Sequence, residues 1–184
     1  MVSPGFTQSE SAKDKIYDSL EEAMKVHPDS VFHIDLSGKR LTELPSQVLA
    51  FKNLISLDLS KNKLTSLPDS MPFKHIEVLN LTKNKLTVFP SVICQQTTLK
   101  QLFLGKNKLE ALPSCIGQLT ELIILDAWFN LITELPEDMS SLKKLRTLDL
   151  RGMNYSEDQQ KKWQALIPWV KIEYDVGCDC GGRF

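Results

Sequence analysis

A block of 22 or 23 residues recurs six times along this chain, and a period of that length leaves few ways to fold. Copies begin at Val31, Leu54, Ile76, Leu99, Leu122 and Leu145. Each carries apolar residues at its first, fourth and sixth positions, as in Leu54, Leu57 and Leu59 or Leu99, Leu102 and Leu104. The ninth position is Asn62, Asn84, Asn107 and Asn130 in the four central copies. The eleventh is Leu41, Leu64, Leu86, Leu109 and Ile132. An apolar residue followed by proline closes five copies: Leu44-Pro45, Leu67-Pro68, Phe89-Pro90, Leu112-Pro113 and Leu135-Pro136. Strand alternation sends the fourth and sixth residues inward and their neighbours outward. One such coil cannot bury its apolar side alone, but a stack of them makes a continuous core. The asparagines then need partners, because an unpaired buried amide costs about 1–3 kcal/mol.

The pattern over residues 31–155 resembles the leucine-rich repeat family, in its form with about 23 residues and a Leu-Pro pair per repeat. The resemblance implies an α/β solenoid: a right-handed arc with a parallel sheet on the concave face and irregular or 3-10 turns on the convex side. It also implies an asparagine ladder bonded to backbone groups of adjacent coils. On the convex side, Val48 and Phe51, Ile116 and Leu119, and Met139 and Leu142 fit the inward pattern. The copy beginning at Ile76 departs from it, with Gln96 where an apolar residue is due. The copy at Leu54 is one residue short, with Phe73 as the expected plug.

Both ends of a stack expose core and need caps. Ile16, Tyr17, Leu20, Ala23 and Met24 stand at helical spacing, which predicts an amphipathic capping helix within residues 11–30. Ser156 and Gln159 form a capping-box signature. They predict a helix to about Leu166, with Trp163 and Trp169 over the last coil and a final strand at "KIEY", the whole cap covering 156–176. Residues 1–10 and 177–184 are expected to be flexible ends.

A net charge of -1 and a pI near 6.3 give no electrostatic reason to expect nucleic acid as partner. No long apolar run predicts membrane insertion. The N-terminus lacks the basic start and apolar stretch of a signal peptide, so the chain reads as cytoplasmic, or exported if a signal has been removed. Cys94, Cys115, Cys178 and Cys180 are expected to be free thiols. A Cys-x-Cys pair supplies two ligands where structural zinc wants four, so no metal is expected. No phosphate loop or dinucleotide fingerprint calls for a cofactor.

Leucine-rich repeat proteins mostly bind other proteins, so the outward residues matter most. The third position reads His33, Ser56, Val78, Gln101, Ile124 and Thr147; the fifth reads Asp35, Asp58, Asn80, Phe103, Asp126 and Asp149. Where other copies read "LDLSKN", "LNLTKN" and "LFLGKN", the copy at Leu122 reads "LDAWFN". Phe103, Ile124, Trp128 and Phe129 therefore gather on neighbouring coils, with Asp126, Asp149 and Arg151 around them. An apolar centre with a charged rim is the anatomy of a binding hot spot. Ala127 leaves inward volume unfilled, so Trp128 has a competing role in packing over that gap. Lys61, Lys83 and Lys106, with Lys63, Lys85 and Lys108, form a ridge suited to steering an acidic partner or to simple solvation. The reading is a monomeric, non-catalytic module that binds a protein or peptide on its concave face. The alternatives are self-assembly through the solenoid edges or tail, and a hydrolase using Ser56 and His33. The last lacks an exposed strained nucleophile and oxyanion donors. The neighbouring Asp126 and Asp149 lack the carbonyl ligands of a cation site.

Overall fold

The computed structural model describes residues 13–175. Eight strands form one parallel sheet in strict chain order: β1 (Ile16–Tyr17), β2 (His33–Asp35), β3 (Ser56–Asp58), β4 (Val78–Asn80), β5 (Gln101–Phe103), β6 (Ile124–Asp126), β7 (Thr147–Asp149) and β8 (Lys171–Glu173). The register repeats without slip, stacking Ile34, Leu57, Leu79, Leu102, Leu125, Leu148 and Ile172 in one ladder. All of these but Ile172 are fully enclosed, together with the sixth-position Leu36, Leu59, Leu81, Leu104 and Leu150. The six repeats thus share one core, as a one-dimensional stack requires.

The asparagine ladder forms. Asn107 accepts from the Leu86 N–H at 3.0 Å and donates to the carbonyls of Leu81 and Leu104 at 2.9 and 2.8 Å. Asn84 donates to Leu59 and Leu81, and Asn130 to Leu104 and Ala127. Successive asparagines therefore share carbonyls, so each side chain ties its own coil to the one before.

On the convex side, 3-10 turns run over Ser46–Ala50, Ser91–Gln95, Ser114–Gln118 and Glu137–Ser141, each with the proline of an apolar-Pro pair at its N-cap. The short copy has no such turn, and Phe73 is buried there as its plug. Gln96, though polar, is buried too: its amide donates to the Met71 carbonyl at 3.0 Å, satisfying the backbone of the shortened coil.

Three expectations need correction. The N-terminal cap is not one amphipathic helix: Ile16 and Tyr17 pair with β2, and α1 is a single turn, Leu20–Ala23, capped by Ser19. Pairing with β2 supplies bonds that the sheet edge would otherwise lack, and Ile16 and Met24, expected to face inward, stay exposed. The capping box at α2 (Glu157–Leu166) is half formed: Ser156 Oγ accepts from the Gln159 N–H, but the Gln159 side chain bonds the Thr133 carbonyl instead. Cys94 and Cys115 are not free thiols but a disulfide, with Cα atoms 5.7 Å apart, joining the 3-10 turns of two coils. Cys178, Cys180 and the chain ends at 1–10 and 177–184 lie outside the described residues.

The C-terminal cap closes as expected. Trp163 is the buried residue of α2, Trp169 donates to the Leu142 carbonyl at 3.2 Å, and β8 completes the sheet. Asp175 accepts from the N–H groups of Gly152 and Met153, supplying acceptors for the turn of the last repeat.

Candidate functional site

The fifth-position carboxylates are first of all turn makers. Asp35, Asp58 and Asp149 each accept from the backbone N–H two residues on, at 2.8, 2.7 and 3.0 Å, and Asn80 does the same with Thr82. Such Asx turns end the strand and swing the chain away from the sheet. Phe103 breaks this series. It stands between Asn80 and Asp126 in register, and it lines a concave hollow of 230 Å³ with Ser56, Asp58, Val78 and Asn80.

Beyond the turn, the eighth position of every copy is forced into left-handed backbone. Gly38, Lys61, Lys83, Lys106, Phe129 and Gly152 have φ of 69, 56, 59, 53, 50 and 91°. For a side-chain-bearing residue this costs about 1 kcal/mol, and a bulky aromatic is an unusual occupant. Trp128 and Phe129 thus sit on a sharp bend, and each ring lies over a glycine of a neighbouring coil. A Cβ at Gly105 would overlap the Trp128 indole, and one at Gly152 would overlap the Phe129 ring. Gly105 holds the seventh position one coil before Trp128, and Gly152 the eighth one coil after Phe129. Trp128 therefore leans toward the N-terminal coils and Phe129 toward the C-terminal ones.

The two rings meet edge to face with centroids 5.4 Å apart, and the Lys106 ammonium caps them at 4.9 Å and 5.5 Å. Trp128 is half-buried, while Phe129 remains 54% exposed. The Trp128 ring lies on Gly105. It closes one end of a polar groove that continues past Thr82, Lys83, Asn80 and Asp58 to Asp35.

Asp126 lies beneath Trp128 with its Oδ1 buried and without a hydrogen-bond partner. Burial, reinforced by the nearby charge of Asp149, raises its pKa to about 6, against the pull of the Trp128 backbone N–H and of Arg151. Asp149 is buried and held by Arg151 at 2.5 Å in a two-pronged pair, with Glu173 a further 3.7 Å contact of the guanidinium. That pairing raises the Arg151 pKa further above its ordinary value. Ile124 sits in the other outward row, between Gln101 and Thr147. The expected patch is therefore two adjoining pieces: Trp128, Phe129 and Asp126 with Ile124, and Phe103 facing the hollow toward the N-terminal coils. Sequence reasoning missed Gly105, Gly152 and Thr82, and named Val78 and Asn80 as outward residues and Lys83 in the ridge without joining them to a groove with Trp128. Each glycine stands at the aromatic's own repeat position one coil away, the one signal in the sequence that bears on it.

His33 and Ser56 do meet, with Nδ1 and Oγ 2.7 Å apart. However, Asp35 Oδ1 is taken by Ser37 N–H, and Asp58 by Ser60 N–H and the Asn80 amide. The Ser56 N–H is committed to the Phe32 carbonyl. Among the described residues no cluster suits a metal ion, and no helix is long and apolar enough to cross a membrane.

Residues 52–109 match a family model described as leucine rich repeat. No curated protein matches the chain. Among solved structures, internalin C2 from Listeria monocytogenes is similar over 88% of this chain and 68% of its own, with 22% identity and a TM-score of 0.66. A Leptospira interrogans LRR protein is similar over 85% of this chain at 23% identity and a TM-score of 0.51; the chain spans 57% of its length. The Arabidopsis receptor kinase HAESA, in complex with the peptide hormone IDA and the co-receptor SERK1, is similar over 67% of this chain and 22% of its own, at 29% identity and a TM-score of 0.58. The matched segment and the same coil continued along the whole described sheet give this chain a leucine-rich repeat solenoid fold.

Proposed function

We propose that the protein is a non-catalytic binding module that takes an extended protein or peptide segment on its concave face, with Trp128 and Phe103 as anchors. The carrying observation is the seating of Trp128: Gly105 below, Phe129 at its edge and Lys106 above hold the indole in place before any partner arrives. A preordered aromatic loses little freedom on binding, which is where affinity is otherwise spent. Ile124 and Phe129 extend the apolar area. Asp126, Asp149 and Arg151 supply a charged border, with Arg151 the exposed member. A receptor kinase of similar fold, solved with a peptide hormone, supports a peptide as ligand class. The spent backbone donors around Ser56 favour binding over hydrolysis.

Peptides selected from a display library on the intact protein, then titrated against Trp128→Ala and Phe103→Ala, test the reading. Binding should fall at least about tenfold, the loss of a hot-spot residue, while thermal unfolding shows both variants folded. Unchanged affinity in the folded variants rejects it.

A second reading is self-assembly through the N-terminal edge. It is favoured by the two-residue β1 at the sheet margin, with Ile16 64% and Met24 60% exposed beside it. Light scattering over a dilution series decides, since a monomer at every concentration removes it.

A further inference from the structure

The eighth and tenth positions of the repeats flank the inward asparagine, and they form two parallel rows along the edge of the solenoid just past the strands. The first row is Lys61, Lys83 and Lys106, ending in Phe129; the second is Arg40, Lys63, Lys85 and Lys108, ending in Leu131. All seven cations are exposed, as are Phe129 at 54% and Leu131 at 50%. None of the seven takes part in a salt bridge among the described residues. Several lysines elsewhere do: Lys100 binds Glu77, Lys144 binds Glu121, Lys162 binds Glu134 and Lys171 binds Glu173. In a chain of net charge -1, such an unneutralised double row is a marked segregation of charge. The left-handed eighth position demands glycine or a strained residue, not a lysine, so backbone geometry does not explain the first row's charge. Both rows change from cation to large apolar residue in the same coil.

We propose that this ridge is a docking surface for an acidic, extended protein segment, a run of Asp or Glu closed by one apolar residue that settles on Phe129 and Leu131. Length fits: from the coil of Arg40 to that of Leu131 are four steps of about 4.8 Å, or about 19 Å, which an extended chain covers in about six residues. Width argues for a single chain. The adjoining sheet face carries Asp35, Asp58, Asp126 and Asp149, which repel a polyanion broad enough to overlap them. Leu131, beside the Phe129 ring, offers an aliphatic contact suited to an apolar side chain. This surface adjoins the sheet-face site and shares Phe129 and Lys106 with it, but Arg40, Lys63, Lys85, Lys108 and Leu131 lie outside that site.

Fluorescence anisotropy with labelled probes tests the proposal: six glutamates followed by leucine, six glutamates alone, and a short DNA duplex. The leucine-ended peptide should bind best, and its affinity should fall as ionic strength passes about 0.15 M, where charges beyond about 8 Å are screened. Lys83→Glu with Lys85→Glu should weaken it at least about tenfold, with thermal unfolding confirming a folded protein. Phe129→Lys with Leu131→Lys should abolish the advantage of the terminal leucine and strengthen binding of the plain hexaglutamate. No binding at low salt, an equal affinity in the folded charge-reversal variant, or duplex DNA binding as tightly as the peptide each overturns the proposal.

Discussion

Replacing Asn107 by alanine probes the bond network that joins the coils. Three backbone groups lose a partner: the Leu86 N–H and the carbonyls of Leu81 and Leu104. Their losses are unequal. Leu81 still receives Asn84 at 3.0 Å, and Leu104 still receives Asn130 at 3.0 Å, so only the Leu86 N–H is orphaned. An orphaned buried donor costs about 1–3 kcal/mol and a lost second bond roughly 0.5 kcal/mol, for a total near 3 kcal/mol. In a domain of this size that lowers the unfolding temperature by about 6–12 °C. The sharing makes a stricter prediction. In Asn84→Ala with Asn107→Ala, the Leu81 carbonyl loses both donors, so the double variant should exceed the sum of the singles by about 1 kcal/mol. Asn62 and Asn107 share no carbonyl, so their effects should add within about 0.5 kcal/mol. Urea unfolding of the two cycles measures both couplings. Equal coupling in the two pairs, or none in either, refutes the shared-carbonyl reasoning.

Further outcomes follow from single contacts. Asp126 holds its proton more tightly folded, with a pKa of about 6, than unfolded, where a carboxyl has its ordinary value of 3.8. The folded state therefore binds more protons between these values, and stability should fall as pH rises from about 4 to 6. Asp126→Asn should flatten that slope in pH-dependent unfolding and stabilise the protein at neutral pH. Gly105→Ala should displace the Trp128 indole, changing its fluorescence and weakening peptide capture while altering unfolding far less than a core substitution does. Reduction of the Cys94–Cys115 bond, which spans 21 positions, should lower stability by roughly 3 kcal/mol, read from melts with and without reductant. Alkylation and mass spectrometry of protein from its native source would show whether it lives in an oxidising compartment, where such bonds persist, or in the cytosol, where thiols stay reduced.

The repeat makes the interior legible from the sequence. Inward leucines follow from residues recurring at fixed offsets, the asparagine ladder and convex turns from the family resemblance, and the C-terminal cap from Ser156, Trp163 and Trp169 where the repeat ends. The N-terminal cap was not, because Ile16, Tyr17 and Leu20 suit a helix face as well as a strand end, and what decided was the bonding demand of the edge of β2. Backbone sign was hidden too, since lysine at the eighth position gives no hint of φ near 55°. The disulfide escaped because Cys94 and Cys115 are 21 apart where the period is 23: one is fourth and the other second in its turn, and only the packing of turn on turn brings them together. At the site, sequence named the aromatic departure but not its seat. Gly105 looked like a small residue among serines and threonines until the Trp128 ring was seen lying on it.

The central claim is that a partner lies on the sheet face against Trp128. A library-selected peptide carrying a photo-crosslinking aromatic residue tests it most directly. The account predicts cross-links on β5, β6 and Trp128, lost in Trp128→Ala with Phe103→Ala. Cross-links confined to the convex turns at Ser91–Gln95 and Ser114–Gln118, unchanged by those substitutions, would contradict it.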